Sequence, residues 1–169
     1  MLDHSDLKAK PWWGYIEVDL QDLLSESLLL LNKASKWDQK FHDYSFVVFP
    51  AAKAYEGFLK KIFVDMGFIS QEAYFGKRFR IGKALNPSLD LEHRDKDWVY
   101  DDLDTYCQGK DLPNFLWDTW KQARNLVFHW FPNELNAVDL SEAQRRIEMV
   151  IEAIDKIFDK CSVQLNTKP

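Results

Sequence analysis

The chain is short of the residues that mark several classes of protein. Two cysteines in 169 residues exclude a disulfide-dense scaffold and leave no set of four thiols for a zinc cluster. Six glycines are too few for a low-complexity or collagen-like chain. Apolar runs such as Leu28 to Leu31 fall far below the roughly 20 residues that a membrane-spanning helix needs. The start, Met1-Leu2-Asp3-His4, has neither the basic flank nor the apolar stretch of a secretory signal. The expectation is a soluble, cytoplasmic protein in which Cys107 and Cys161 are free thiols. Excess positive charge is missing as well. The net charge of −5 argues against broad binding to nucleic acid, which is driven by phosphate neutralisation. Any contact with RNA has to be local.

What the chain does have is apolar bulk. Hydrophobic residues at 46% and aromatics at 15%, with 7 Trp and 12 Phe, suffice for one compact domain over 1–169. They also leave rings over for an interface. Their spacing is helical. Leu20, Leu23, Leu24, Leu28, Leu30 and Leu31 keep close to a 3.6-residue period and predict a helix from Asp19 to about Trp37. A second, running to about Met66, carries Ala51, Tyr55, Phe58, Leu59, Ile62 and Phe63 on one side, with Pro50 suited to its first turn and Gly67 to its end. Phe41 to Phe49 is either a separate helical segment kinked at Pro50 or an extended approach to it.

From Ile69 to Lys110 the periodicity breaks up, predicting an insert of loops and short helices, one of them at Gln71 to Tyr74. Asp111 as cap and Pro113 open a further helix through Phe115, Leu116, Trp120, Ala123 and Val127, which Pro132 stops. Ser141-Glu142-Ala143-Gln144 reads as a capping box for a last helix with Ile147, Val150, Ile151, Ile154, Ile157 and Phe158 inward. The fold class is therefore all-α, a bundle of four to five helices with a loop-rich insert.

Two stretches carry chemistry. Within the insert, Gly76-Lys77-Arg78-Phe79-Arg80-Ile81-Gly82-Lys83 gathers four cations without an acid. It is either a solvated basic turn or a local RNA contact through Lys77, Arg78, Arg80 and Lys83, with Phe79 placed to stack a base if exposed. The second stretch, Arg124-Asn125-Leu126-Val127-Phe128-His129, puts a fixed cation and a titratable imidazole near a helix end. An imidazole can move a proton to or from a ribose oxygen, and a guanidinium stabilises charge growing on a phosphate. On a regular helix of about 100° per residue, His129 lies about 140° around from Arg124, about 40° from Asn125 and about 20° from Asp118. Arg124 and His129 then splay apart, and a shared cleft needs two copies of the helix meeting across a twofold axis. The plain alternative is a surface cation and a carbonyl-capping imidazole at a helix C-terminus. On the second helix, Lys53, Glu56 and Lys60 have the spacing of an ordinary solvated salt-bridge face. No metal-ligand cluster is visible, because His42-Asp43 and Glu92-His93 are isolated pairs.

Arg, a polar residue, three more positions and His at the end of a late helix resemble the motif of ribonuclease members of the HEPN superfamily. Arg124-Asn125 and His129 match it in type, spacing and position. A nearer resemblance is to the catalytic domain of RNase LS-type toxins (the RnlA and LsoA family), which add a basic-x-x-Glu element on an earlier helix. Ala52-Lys53-Ala54-Tyr55-Glu56 is similar to it. The resemblance covers about residues 15–165 and implies a metal-independent, cofactor-free endoribonuclease acting as a homodimer, a toxin or defence effector held by a proteinaceous antitoxin. In that reading the 2′-hydroxyl attacks the adjacent phosphate, giving a 2′,3′-cyclic phosphate and a 5′-hydroxyl. His129 is the general base or acid, Arg124 clamps the phosphate and Asn125 orients the site. Glu56 transfers a proton or holds Arg124, and Lys53 adds positive charge. Asp118 joins this set from helix geometry alone. Lys53 departs from the Arg more usual there and cannot make the same two-pronged contact. Phe131 stands where one branch carries a nucleotidylated Tyr, so that form of control is not expected. The rival reading is a non-catalytic HEPN-fold dimer that holds RNA or a protein.

Overall fold

The computed structural model describes residues 4–130, 132 and 136–160. The chain is all helical, with no strand among the described residues. Four longer helices form the bundle: α2 (Val18–Ala34), α3 (Ser45–Asp65), α7 (Asp111–Trp120) and α8 (Leu140–Lys160), preceded by a short α1 (His4–Lys8). The expected insert folds into three short helices, α4 (Gln71–Phe75), α5 (Ile81–Ala84) and α6 (Tyr100–Tyr106), plus a 3-10 turn at Leu91–His93. The helix count thus exceeds the expected four to five because short apolar stretches in the insert, around Ile81 and Leu103, also turn inward. No helix of the described residues is long and apolar enough to cross a membrane.

The core joins all four long helices, with Leu24, Tyr55, Phe58, Leu59, Phe63, Leu116, Ile154 and Ile157 at 2% exposure or less. Packing begins before residue 15. Leu7 and Trp12 are fully buried, and the Trp12 indole donates to Asp155 of α8 at 2.6 Å while Lys10 pairs with the same carboxylate at 2.7 Å. Gly57 lets α2 lie close on α3, since a Cβ there would sit 2.5 Å from a Leu20 methyl. At the far end of α3, Gly67 takes φ +77°, a conformation open to glycine without steric cost, and ends the helix where the sequence predicts.

Pro50 lies inside α3, which starts five residues earlier at Ser45. A proline there removes one backbone donor and crowds the preceding turn. The opening is filled from α2. The buried Ser27 hydroxyl donates to Val47 O at 2.8 Å and accepts from Ala51 N at 2.8 Å, so a side chain bridges the donor and acceptor that would otherwise meet along the helix. Ser27→Ala is expected to lower unfolding stability in urea by about 1–3 kcal/mol, because it strands buried polar groups. A loss below about 0.5 kcal/mol would show that the helix closes on itself without the hydroxyl.

Four expectations need correction here. Asp111 is the first residue of α7, with Lys110 at the cap position. The cap of α8 is Asp139, whose Oδ1 accepts from Glu142 N at 2.8 Å and from the Ser141 hydroxyl at 2.6 Å. Glu142 instead takes hydrogen bonds from Arg145 and Arg146, which hold its carboxyl down at about 2. Phe79 is 5% exposed and packs in the core, so it stacks no base. Cys107 is disulfide-bonded rather than a free thiol; the expectation for Cys161 lies outside the described residues, as does that for Phe131.

Candidate functional site

The helix that carries Arg124 does not run evenly to its end. After Trp120 the chain widens into a π turn at Lys121–Asn125, closed by Leu126 N donating to Lys121 O, and then tightens into a 3-10 turn at Leu126–Phe128. His129 leaves the helix with φ −106° and ψ 129°. The angles of a regular 3.6-residue winding therefore do not apply beyond Trp120. Asp118, aligned with His129 only by those angles, does not line the cavity where His129 sits. The widening has tertiary partners. Trp120 is buried beside Gly82, where a Cβ would lie 2.9 Å from the indole nitrogen, and Ala123 and Val127 are fixed in the core on either side of Arg124. Single-turn π segments often mark functional sites.

On one side of this irregular end stands Arg124. Its Nη2 lies 3.6 Å from Glu56 Oε2, and Glu56 also pairs with Lys60 at 3.1 Å. The guanidinium lies over the rings of Trp120 and Phe128, 5.3 and 5.9 Å from their centroids. Two aromatic faces and a carboxylate thus orient a cation whose side chain keeps 38% exposure. Lys53 is exposed one turn along α3, its Nζ 6.0 Å from the Phe49 ring. Phe49 in turn meets Phe128 edge to face at 5.3 Å.

On the other side stands His129, exposed, with Nε2 3.2 Å from Asn125 Oδ1. The Asn136 side chain donates to Leu126 O at 3.1 Å and to His129 O, pinning the turn by its main chain. His129 opens on a cavity of about 260 Å³ lined by His42, Asp43, Ser45, Phe128, Trp130 and Asn136 among others. Arg124 does not line it. Phe128 lines the cavity and also lies beneath the Arg124 guanidinium. Within one chain, then, Arg124 pairs with Glu56 and His129 with Asn125, and of the two only His129 lines this cavity.

The four cations of the basic turn do not act as one patch. Lys83 pairs with Asp95 at 2.5 Å, and Arg80 donates to the carbonyl oxygens of Lys77 and Phe79. Lys77 and Arg78 are exposed next to Phe75, which is 78% exposed, so an aromatic neighbour exists one residue before the turn rather than inside it.

His42 and Asp43 had no apparent partner in the sequence. The structure carries them to His129 across more than eighty residues, because Tyr44 N donates to Val138 O at 2.7 Å and so ties the start of α3 to the segment after the helix end. No signal within either stretch reveals that tie. Among the described residues no three of His, Cys, Asp and Glu are arranged to hold a metal ion. No protein-family model, curated protein or solved structure matches the chain.

Proposed function

We propose that this chain is a HEPN-type endoribonuclease that works without a metal, assembles its site between two copies of itself, and serves as a toxin or defence effector. The observation that carries this reading is the irregular end of the α7 helix, where an accessible imidazole and an accessible guanidinium flank one aromatic ring. Each is held by its own partner, Asn125 for His129 and Glu56 for Arg124. Such prepositioned groups suit a reaction that needs proton transfer at one oxygen and charge stabilisation at the phosphate.

In the proposed reaction His129 takes the proton of a ribose 2′-hydroxyl, the freed oxygen attacks the adjacent phosphorus, and the bond to the 5′ oxygen breaks. Arg124 of a second copy balances the charge on the phosphate, since Arg124 does not line the cavity that holds His129 in its own chain. Exposed Phe46, Phe49, Phe128 and Trp130 supply apolar surface that a twofold contact would cover. Lys53 adds positive charge along the same side of α3, and Lys77 and Arg78 offer a local contact for the RNA backbone. A proteinaceous antitoxin would act by occluding this face.

End-group analysis tests the reading directly. Single-stranded RNA incubated with the purified chain in excess chelator should yield 2′,3′-cyclic phosphate and 5′-hydroxyl ends. Intact RNA, or 5′-phosphate ends, would defeat it.

A further inference from the structure

Transesterification of RNA requires two opposite proton movements, one away from the attacking 2′-hydroxyl and one onto the departing 5′ oxygen. One imidazole cannot make both in the same step. The cavity at His129 holds a second imidazole, that of His42, which the proposed function leaves unused. Resting on that function, we propose that His42 is the general acid of the site and His129 its general base.

The placement of His42 is built into the fold. It lies between Phe41, whose N–H donates to the Tyr44 hydroxyl at 3.1 Å, and Asp43, whose Oδ1 accepts from Ser45 N at 2.7 Å and from the Ser45 hydroxyl at 2.5 Å. Tyr44 is itself buried and tied to Val138 O. The residue is therefore fixed on both sides at the mouth of α3. The titratable groups among the described lining residues are His42 and Asp43 from the α3 approach and His129 from the helix end; the segment from Asn136 adds an amide and no charge. About 260 Å³ falls just below the roughly 300–1,000 Å³ of pockets that take a drug-sized ligand, and both imidazoles line it.

In this assignment Asn125 Oδ1 holds His129 Nε2, 3.2 Å away, and the base is His129 Nδ1. That nitrogen takes the 2′-hydroxyl proton, the O2′–P bond forms, the P–O5′ bond breaks, and the His42 imidazolium passes its N–H proton to the 5′ oxygen. The products are a 2′,3′-cyclic phosphate and a 5′-hydroxyl, with His129 protonated and His42 neutral. Proton exchange with water restores both.

A leaving group that needs no proton separates this role from a structural one. Two substrates serve, the dinucleotide UpA and uridine 3′-(4-nitrophenyl) phosphate, whose phenolate departs unprotonated. His42→Ala and His42→Gln should each slow UpA cleavage by about 10²–10⁴-fold while leaving the aryl ester within about threefold. The pH–rate profile on UpA should lose its alkaline limb, because that limb reports loss of the acid's proton. His129→Ala should slow both substrates. Equal slowing of both by the His42 variants, or no slowing of UpA, overturns the proposal and leaves the nuclease reading standing. A wild-type chain that cleaves neither substrate overturns this inference, and one that also leaves single-stranded RNA intact defeats the nuclease reading with it.

Discussion

His129→Ala should lower the rate of RNA cleavage by about 10²–10⁴-fold, the usual contribution of a positioned acid or base, with almost no change in stability. The structure explains why the two effects separate. The imidazole is exposed and lies 3.2 Å from Asn125 Oδ1, whereas the turn that presents it is secured through main-chain carbonyls of Leu126 and His129 by Asn136. Truncation removes a ring and leaves the scaffold, so the unfolding free energy should stay within about 0.5 kcal/mol of the parent. Cleavage rates and urea melts on the same preparation check both halves. A variant that keeps its activity would remove His129 from the chemistry, and one that loses several kcal/mol would make its inactivity uninformative. Growth inhibition by the expressed chain should follow the cleavage rate.

The helices were legible because their apolar periods survive in single stretches. The leucines of α2 and the Ala51 to Phe63 stripe of α3 declare their inward faces without reference to anything else. The candidate site is legible only in part, and the missing part is tertiary. Arg124, Asn125 and His129 share one short motif, but the π and 3-10 turns that set their directions form where Trp120 seats against Gly82 in a different helix. Helical arithmetic therefore aligned Asp118 with His129 and missed His42, which reaches the cavity through the link from Tyr44 to Val138. Phe79 shows the converse error. Flanked by cations it reads as an exposed stacking ring, yet the insert is stabilised by burying it together with Ile81 and Leu85. Local charge says little about which way a ring faces when core volume is available nearby.

Arg124→Ala and His129→Ala, each inactive alone, should restore activity when the two proteins are mixed. Removing a group that stabilises transition-state charge costs about 10²–10³ in rate, so each homodimer is nearly silent. If the cleft joins Arg124 of one copy to His129 of the other, a mixed dimer holds one pairing with both groups intact and one with neither. Random exchange makes half of the dimers mixed, and the mixture should recover about a quarter of the parent activity. The geometry within a single chain makes this test decisive. Arg124 is drawn toward Glu56 on the α3 side and does not line the His129 cavity, so a site confined to one chain would have to bring the guanidinium into that cavity. Such a site gains nothing from mixing, since each protein brings one defective copy of it. Arg124→Lys should behave as Arg124→Ala does in rate, because an ammonium lacks the planar fork that lies over Trp120 and Phe128 and grips two phosphate oxygens at once. Mixing that yields no recovery while both proteins form dimers by light scattering would place the chemistry inside one chain or remove Arg124 from it.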